Sequence, residues 1–180
     1  YPNVYIGDIN LGGKTKEQAI ALINSKTDNI KQSGINFYFN SQTAKIYPLI
    51  SSPEGDVVYE IIFFDSEKTA DHALDYARGG NFFISLVDKI ILLIVGKNIP
   101  LYFVINSQDV EKALIYNFSK LITPPQDAQL IIKESNNGGN DFSFAIENEK
   151  YGQTINYQKG IDELISNLTN LKNFSIYLSF

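Results

Sequence analysis

The stretch VYIGDINLGGKTKEQAIALINSKTDNIKQSGINFYF, residues 4–39, decides the fold of this chain. Val4 to Ile6 predicts a short strand, and the Gly12-Gly13 turn follows it. Thr15 suits a helix N-cap, and Gln18 three residues later completes the pattern of a capping box. The stretch therefore predicts a strand, a capped helix and a second strand over Ile35 to Phe39.

The helix of this stretch is amphipathic. Ala19, Leu22 and Ile23 recur at helical spacing and form an apolar stripe. Gly34 then interrupts the pattern, as glycine does where a helix ends. The apolar stripe predicts that this helix packs against the strands that flank it.

The same order of elements returns twice along the chain. Strand-helix-strand units are predicted over Val4 to Phe39, Ile99 to Ile132 and Phe144 to Phe180. Such units predict an α+β fold in which amphipathic helices pack on mixed sheets.

The remaining elements are predicted from periodicity and from the residues that break it. Pro124-Pro125 stops the helix of the second unit, and Asn156 caps the helix of the third. The other predicted elements are strands over Ala44 to Ile50, Val57 to Phe64, Ile99 to Ile105 and Phe174 to Phe180, a hairpin of Leu130 to Lys133 with Phe142 to Ile146, and helices capped at Asp65 or Ser66, at Asn81, and at Asn106 or Ser107.

The chain divides on this basis into two regions. Residues 1–56 form an N-terminal strand-helix-hairpin lobe, and residues 57–180 form a second domain, although the two could pack as one module. The helical pair over Ser66 to Val95 is interpreted as an insertion that joins them. Its most apolar part, Phe82 to Val95, contains Asp88 and Lys89 and is shorter than the roughly 20 residues that span a bilayer.

Composition excludes several kinds of site. The chain has no Cys and a single His, His72, so thiolate metal sites, a cysteine nucleophile and multi-histidine metal centres are excluded. The net charge of −5, without a basic cluster, argues against binding to nucleic acid. We therefore expect no metal, no cofactor and no catalytic residue. The acidic residues Asp65, Glu67, Asp71 and Asp75 fit a solvated helix face.

Four segments together resemble a family found in bacterial cell-wall proteins. They are Ile9 to Ala19, which is similar to a common opening of Gram-positive wall proteins, Ala73-Leu74-Asp75-Tyr76-Ala77-Arg78-Gly79-Gly80-Asn81, Pro124-Pro125-Gln126-Asp127-Ala128, and Tyr151-Gly152-Gln153-Thr154-Ile155-Asn156. Their order and spacing resemble the proposed peptidoglycan-binding domain that precedes L,D-transpeptidase and VanW-like domains. One departure is Ala77, where the family usually has Gly.

The resemblance implies a protein of the cell surface with an affinity for peptidoglycan or another wall polymer. The candidate ligand-binding residues, which all lie in the family-like segments, are Tyr76, Arg78, Asn81 and Tyr151. Each has a structural alternative: Arg78 could bond the last carbonyls of its helix, Asn81 could cap the next helix, and the tyrosines, like Tyr157, could serve packing rather than stack on sugar rings.

The functional expectation is a non-catalytic, extracytoplasmic module that binds peptidoglycan or acts as a spacer within a larger bacterial surface protein. Its membrane anchor would lie outside this chain, since the chain begins at Tyr1 and contains no Met. The alternative is a structural or protein-interaction domain that positions a surface protein without binding glycan. An enzyme acting on wall polymer is the third hypothesis.

Overall fold

The computed structural model describes residues 3–51, 58–78, 96–122, 124–134, 142–152, 154–172 and 174–180. The predicted α+β class is confirmed: four α-helices and several small sheets occupy these ranges. The predicted helix capped at Asn81, the turn between Lys133 and Phe142, and Asn81 itself lie outside the described residues.

The first helix, α1, spans Lys16–Ser33 and begins as the sequence predicts. The Thr15 side chain accepts a hydrogen bond from the Gln18 backbone N–H, and the Gln18 side chain accepts one from the Thr15 backbone N–H, so the capping box is complete. The helix ends at Gly34. Leu22 is exposed, contrary to the predicted stripe, because the buried face runs through Ala19, Ile23, Thr27 and Ile30.

The helix leads into a three-stranded mixed sheet. The strands are β3, Ile35–Phe39, and β4, Gln42–Ile46, which pair antiparallel around a tight turn. The last strand of the chain, β12 (Ser175–Tyr177), joins the other side of β3 in parallel. Alternate residues of β3 point into the core, as the period-2 pattern predicts.

A second mixed sheet ties the start of the chain to its middle. Strand β1, Val4–Ile6, pairs antiparallel with β2, Ile9–Asn10, and parallel with β8, Lys97–Asn98. The turn after β1 passes close to the end of the last helix: Gly7 has φ +58°, and a Cβ built there would lie 2.5 Å from the Asn170 carbonyl oxygen. Glycine is therefore required at this approach.

Two antiparallel pairs and two helices fill the middle of the chain. Strand β5, Leu49–Ser51, pairs with β6, Val58–Glu60, and β7, Ile62–Phe64, pairs with β9, Phe103–Ile105. The remaining elements before the last helix are α2 (Ser66–Arg78), α3 (Ser107–Phe118) with a following 3-10 turn over Ser119–Leu121, and the hairpin of β10 (Gln129–Glu134) with β11 (Phe142–Glu147). The last helix, α4, spans Tyr157–Thr169.

Four predicted strands are shorter than expected, and one of them, over 57–64, is divided at Ile61 into β6 and β7. Pro48 divides the predicted strand over 44–50 into β4 and β5, and Pro100 lies in the part of 99–105 that is not a strand. Proline lacks the backbone N–H that a ladder requires. The predicted strand over 174–180 is reduced to β12, because beyond it the Ser179 carbonyl accepts a hydrogen bond from the Asn156 N–H of the α4 cap instead.

The hydrophobic core draws on all four helices and on both predicted regions of the chain. Its members lie between Val4 and Ile46, between Ile61 and Ala73, between Ile99 and Phe118, and between Ile155 and Leu178. The β1–β8 and β3–β12 pairings also cross the predicted boundary, which itself falls among residues outside the described ranges. The division into 1–56 and 57–180 stays a prediction.

Candidate functional site

Residues 73–78 of the second family-like segment lie on α2. Asp65 caps this helix by accepting a hydrogen bond from the Lys68 backbone N–H at 2.9 Å, and Arg78 is its last residue. The side chain of Arg78 lies outside the described part of the structure, as does Asn81. Tyr76 is exposed, and the Lys97 ammonium lies 5.7 Å from the centre of its ring. Tyr76 therefore has a structural partner at hand, a cation over its ring face.

The third and fourth family-like segments meet at the foot of the β10–β11 hairpin. Gln126 and Lys150 form an isolated antiparallel bridge, with backbone N–O distances of 2.9 and 2.8 Å. Tyr151 follows Lys150 directly, and its side chain is 87% exposed. The bridge thus brings Pro124–Ala128 beside Tyr151, although the two segments are separated by the whole hairpin in sequence.

A polar groove of about 460 Å³ lies at this junction, and we call it the hairpin-base groove. Lys150 donates to the Glu147 carboxylate at 3.4 Å across the end of β11, an exposed pair that stabilises the fold little. The groove presents amides and carboxylates to solvent, and its lining residues are Pro125, Gln126, Asp127, Gln129, Glu147, Asn148 and Lys150.

A second groove, of about 470 Å³, lies at the start of α4, and we call it the α4-start groove. It is built from the end of the fourth family-like segment, from α3 and from the end of the chain. Asn156 caps α4 through a 3.0 Å hydrogen bond from the Lys159 backbone N–H. The lining residues are Glu111, Thr154, Ile155, Asn156, Tyr157, Gln158 and Phe180.

Tyr157 is the unusual member of the α4-start groove. Its side chain is only 7% exposed, and its hydroxyl has no hydrogen-bond partner among the described residues. Burial raises the pKa of this phenol above its ordinary value, so the hydroxyl is a proton donor at neutral pH. A buried hydroxyl without an acceptor costs stability, which makes it a group that a ligand could satisfy.

The matching family covers residues 60–175, more than half of the chain, and carries the description "Putative peptidoglycan binding domain". This chain belongs to that family. No curated protein and no solved structure matches the chain. Membership in the peptidoglycan-binding domain family implies a cell-wall context, and the family is a binding family rather than a catalytic one.

The extent of the family match bears on both grooves. All residues that line the hairpin-base groove fall within the peptidoglycan-binding match, as do those of the α4-start groove except Phe180. A third groove, of about 550 Å³ between the β1–β2 turn and α1, falls outside it. The two smaller grooves are therefore the candidate site of the family domain.

The acidic face of α2 is engaged in structural contacts. Asp65 is the helix cap, and Asp71 forms a 2.6 Å ion pair with Lys16 of α1. His72 packs edge-on against the Tyr102 ring at 5.4 Å between ring centres. Within the described ranges, no group of three or more His, Asp or Glu side chains could hold a metal ion, and no helix is long and apolar enough to cross a membrane.

The sequence singled out two of the described site residues, Tyr76 and Tyr151, and the structure places them on separate elements. No ring contact or hydrogen bond of the described residues joins them. Lys150 and Phe180 were missed. The hairpin prediction held a usable signal for Lys150, because the residues that flank an antiparallel hairpin must lie side by side. Phe180 carried no comparable signal.

Proposed function

We propose that this chain is a non-catalytic module that binds peptidoglycan within a larger bacterial surface protein outside the cytoplasm. The observation that carries the proposal is the Gln126–Lys150 bridge, which brings the family-like segment over 124–128 beside Tyr151 at the hairpin-base groove. Amide, hydroxyl and carboxylate groups line the grooves there, and Tyr151 adds an exposed ring beside them. Such groups suit a polymer of sugars and short peptides, whose hydrogen-bonding groups are dense.

The residues proposed to contact the polymer are Tyr76, Arg78, Asn81 and Tyr151. Tyr151 is the best supported of them, because it is widely exposed and lies next to the hairpin-base groove. An exposed aromatic ring is suited to stack against the apolar face of a sugar. Arg78 offers a guanidinium that can bind a stem-peptide carboxylate with two hydrogen bonds.

Sedimentation with purified bacterial sacculi tests this function. The 180-residue chain should sediment with sacculi, and Tyr151→Ala should reduce the bound fraction. Tyr116→Ala is the matched control, since Tyr116 is a comparably exposed tyrosine (84%) on α3 that lines neither groove. Failure of the unmodified chain to sediment would refute the proposal, and equal losses in the two variants would remove Tyr151 from the site.

A second candidate function is a protein-interaction module, and one observation favours it. Leu130 lies directly opposite Ile146 on the hairpin, and Ile132 lies opposite Phe144, so these four exposed side chains share one face of β10 and β11. None of the described side chains of the hairpin belongs to the core. An apolar face of this kind marks a contact with another protein surface.

The two candidate functions differ in the variant that impairs them. Ile132→Thr together with Ile146→Thr removes half of the apolar face and leaves both grooves unchanged. The peptidoglycan-binding function predicts that this double variant still sediments with sacculi. Loss of sedimentation in the double variant, with Tyr151→Ala unaffected, would favour the apolar hairpin face over the grooves.

The location and the lack of catalysis are also proposals. We propose that the full-length protein carries a signal or membrane anchor outside this chain, and that this chain alone does not cleave the wall. Incubation with sacculi should release no muropeptides above a buffer control. Release by this chain would refute the non-catalytic proposal, and a full-length gene product without a signal or anchor would refute the location.

A further inference from the structure

The α4-start groove combines features that point to a particular part of the wall polymer. It offers an aromatic ring, a buried hydroxyl, two amides, a hydroxyl and one carboxylate, contributed by Phe180, Tyr157, Asn156, Gln158, Thr154 and Glu111. Its volume of about 470 Å³ lies within the range of small-ligand sites.

Phe180 is held in place by the fold, although its side chain is 57% exposed. Its ring meets the buried ring of Phe39 edge-to-face, with centroids 5.0 Å apart at an interplanar angle of 88°. Phe39 in turn meets Phe118 in the core at 6.2 Å. The preceding residue is fixed as well, because the Ser179 carbonyl accepts from the Asn156 N–H at 2.8 Å. The exposed part of Phe180 is therefore a preorganised platform, which reduces the entropy lost on binding.

Hydrogen-bonding capacity remains free beside this platform. The Asn156 Oδ1 atom caps α4, which leaves its amide NH₂ for another acceptor. The Gln158 NH₂ donates to Asp162 at 2.9 Å, which leaves its carbonyl oxygen as an acceptor. The Tyr157 hydroxyl has no acceptor among the described residues. The groove thus offers both donors and acceptors, as hydroxyl and acetamido groups require.

The charge of the α4-start groove favours one of the two parts of peptidoglycan, the glycan strand, over the stem peptide. Of the described residues that line the groove, Glu111 is the only charged one, so these residues make the groove negative and offer no cation to a carboxylate. Stem peptides carry carboxylates, which this groove would repel, whereas N-acetylated sugar units of the glycan strand are neutral. We propose that the α4-start groove binds the N-acetylated glycan strand, with Phe180 stacking on a sugar ring and the Tyr157 hydroxyl donating to the sugar.

This assignment rests on the proposed peptidoglycan-binding function and is tested with a defined probe. The probe is the β-1,4-linked tetramer of N-acetylglucosamine, titrated into the 180-residue chain by calorimetry. The unmodified chain should bind it, and Phe180→Ala should weaken binding at least tenfold. Gln158→Ala, an exposed position where folding is not at risk, should weaken binding two- to tenfold.

Tyr157→Phe is the most informative variant, because it changes only the hydroxyl. Removal of an unpartnered buried hydroxyl should leave the melting temperature unchanged or raised, while probe affinity falls about three- to tenfold. Tyr116→Ala is again the control and should keep the affinity of the unmodified chain. A Tyr157→Phe protein that binds the probe normally would overturn the role of the hydroxyl.

Sacculus sedimentation run in parallel separates failure of this assignment from failure of the proposed function. Sedimentation without any tetramer binding overturns the groove assignment alone, as does equal tetramer binding by all four variants. Binding of a free stem peptide that is lost in Phe180→Ala overturns the glycan assignment in favour of peptide. Loss of both sedimentation and tetramer binding in the unmodified chain overturns the groove assignment and the proposed function together.

Discussion

The Thr69 hydroxyl links α2 to the chain segment before β9, and its removal should destabilise the protein measurably. Thr69 is fully buried, donates to the Asp65 carbonyl at 2.6 Å and accepts from the Tyr102 backbone N–H at 2.9 Å. Thr69→Val keeps the shape of the side chain and removes both hydrogen bonds. The helix affected is the one that carries Tyr76 and Arg78, so the same bond also positions candidate binding residues.

The magnitude follows from which groups lose their partners. The Asp65 carbonyl still accepts a hydrogen bond from the Thr69 backbone N–H at 3.1 Å, so the substitution does not leave it without a donor. The Tyr102 N–H loses the acceptor described for it, and an unsatisfied, partly buried donor costs about 1–3 kcal/mol. The added valine methyl regains up to about 0.8 kcal/mol by burial. The expected loss in the free energy of unfolding is therefore roughly 1–2 kcal/mol.

Urea unfolding followed by circular dichroism measures this loss, with thermal unfolding as a second assay. A protein of this size loses about 2–4 °C in melting temperature for each kcal/mol. Thr27→Val is the matched control: Thr27 is equally buried on α1, but its hydroxyl only donates to the Asn24 carbonyl of its own helix at 3.1 Å. Thr27→Val leaves no hydrogen-bond donor without an acceptor, so it should change the free energy of unfolding by no more than about 0.5 kcal/mol. Equal stability of the two variants would refute the role assigned to the Thr69 hydroxyl.

Three further predictions, with four substitutions, test other contacts. Gly13→Ala should lower the free energy of unfolding by about 1–2 kcal/mol, because residue 13 has a left-handed backbone. Gly7→Ala should lower it further, because the added Cβ would also lie 2.5 Å from a backbone carbonyl oxygen. Equal losses of the two variants in urea unfolding would contradict this. The hydrogen bond from Lys26 holds the pKa of the Asp8 carboxyl below its ordinary 3.8. The ion pair therefore stabilises the fold by roughly 0.2–1 kcal/mol at neutral pH, and this stabilisation is lost as the pH falls below 3.8. Asp8→Asn should reduce the dependence of the unfolding free energy on acid pH. If the Arg78 guanidinium bonds the end of its helix, Arg78→Lys should lower the free energy of unfolding by about 1–3 kcal/mol. If it binds a wall carboxylate instead, the same change should weaken sacculus binding and alter stability by no more than about 0.5 kcal/mol. No change in either assay would refute both roles.

Local elements were the most predictable part of this fold. The Thr15 and Gln18 capping box, the Asn156 cap and the hairpin over 129–147 all occur where the sequence places them. These features depend on contacts between residues close in sequence, so their signals are local. The predictions were wrong where proline interrupted a ladder, at Pro48 and Pro100, although the signal was present in the sequence.

Contacts between distant residues were not predictable in the same way. The pairing of β3 with β12 joins strands about 140 residues apart, and the parallel pairing of β1 with β8 joins strands about 90 residues apart. Leu22 at the surface and Thr27 in the core show the same limit, because helical spacing defines a face but not which neighbour covers it. The α4-start groove combines residues 111, 154–158 and 180 and exists only once the chain has folded.

By itself, the sequence determined the α+β class, the helix caps and the resemblance of four segments to a cell-wall family, because each depends on residue types at short spacing. It also excluded thiolate and multi-histidine chemistry, since those residues are missing from the chain. Only the tertiary structure decided that Gln126 pairs with Lys150, that the apolar residues of the hairpin face solvent, and that Tyr157 is buried without an acceptor beside Phe180. The physical reason is that burial and hydrogen-bond partners are properties of the packed chain, set by which distant surfaces exclude water from one another.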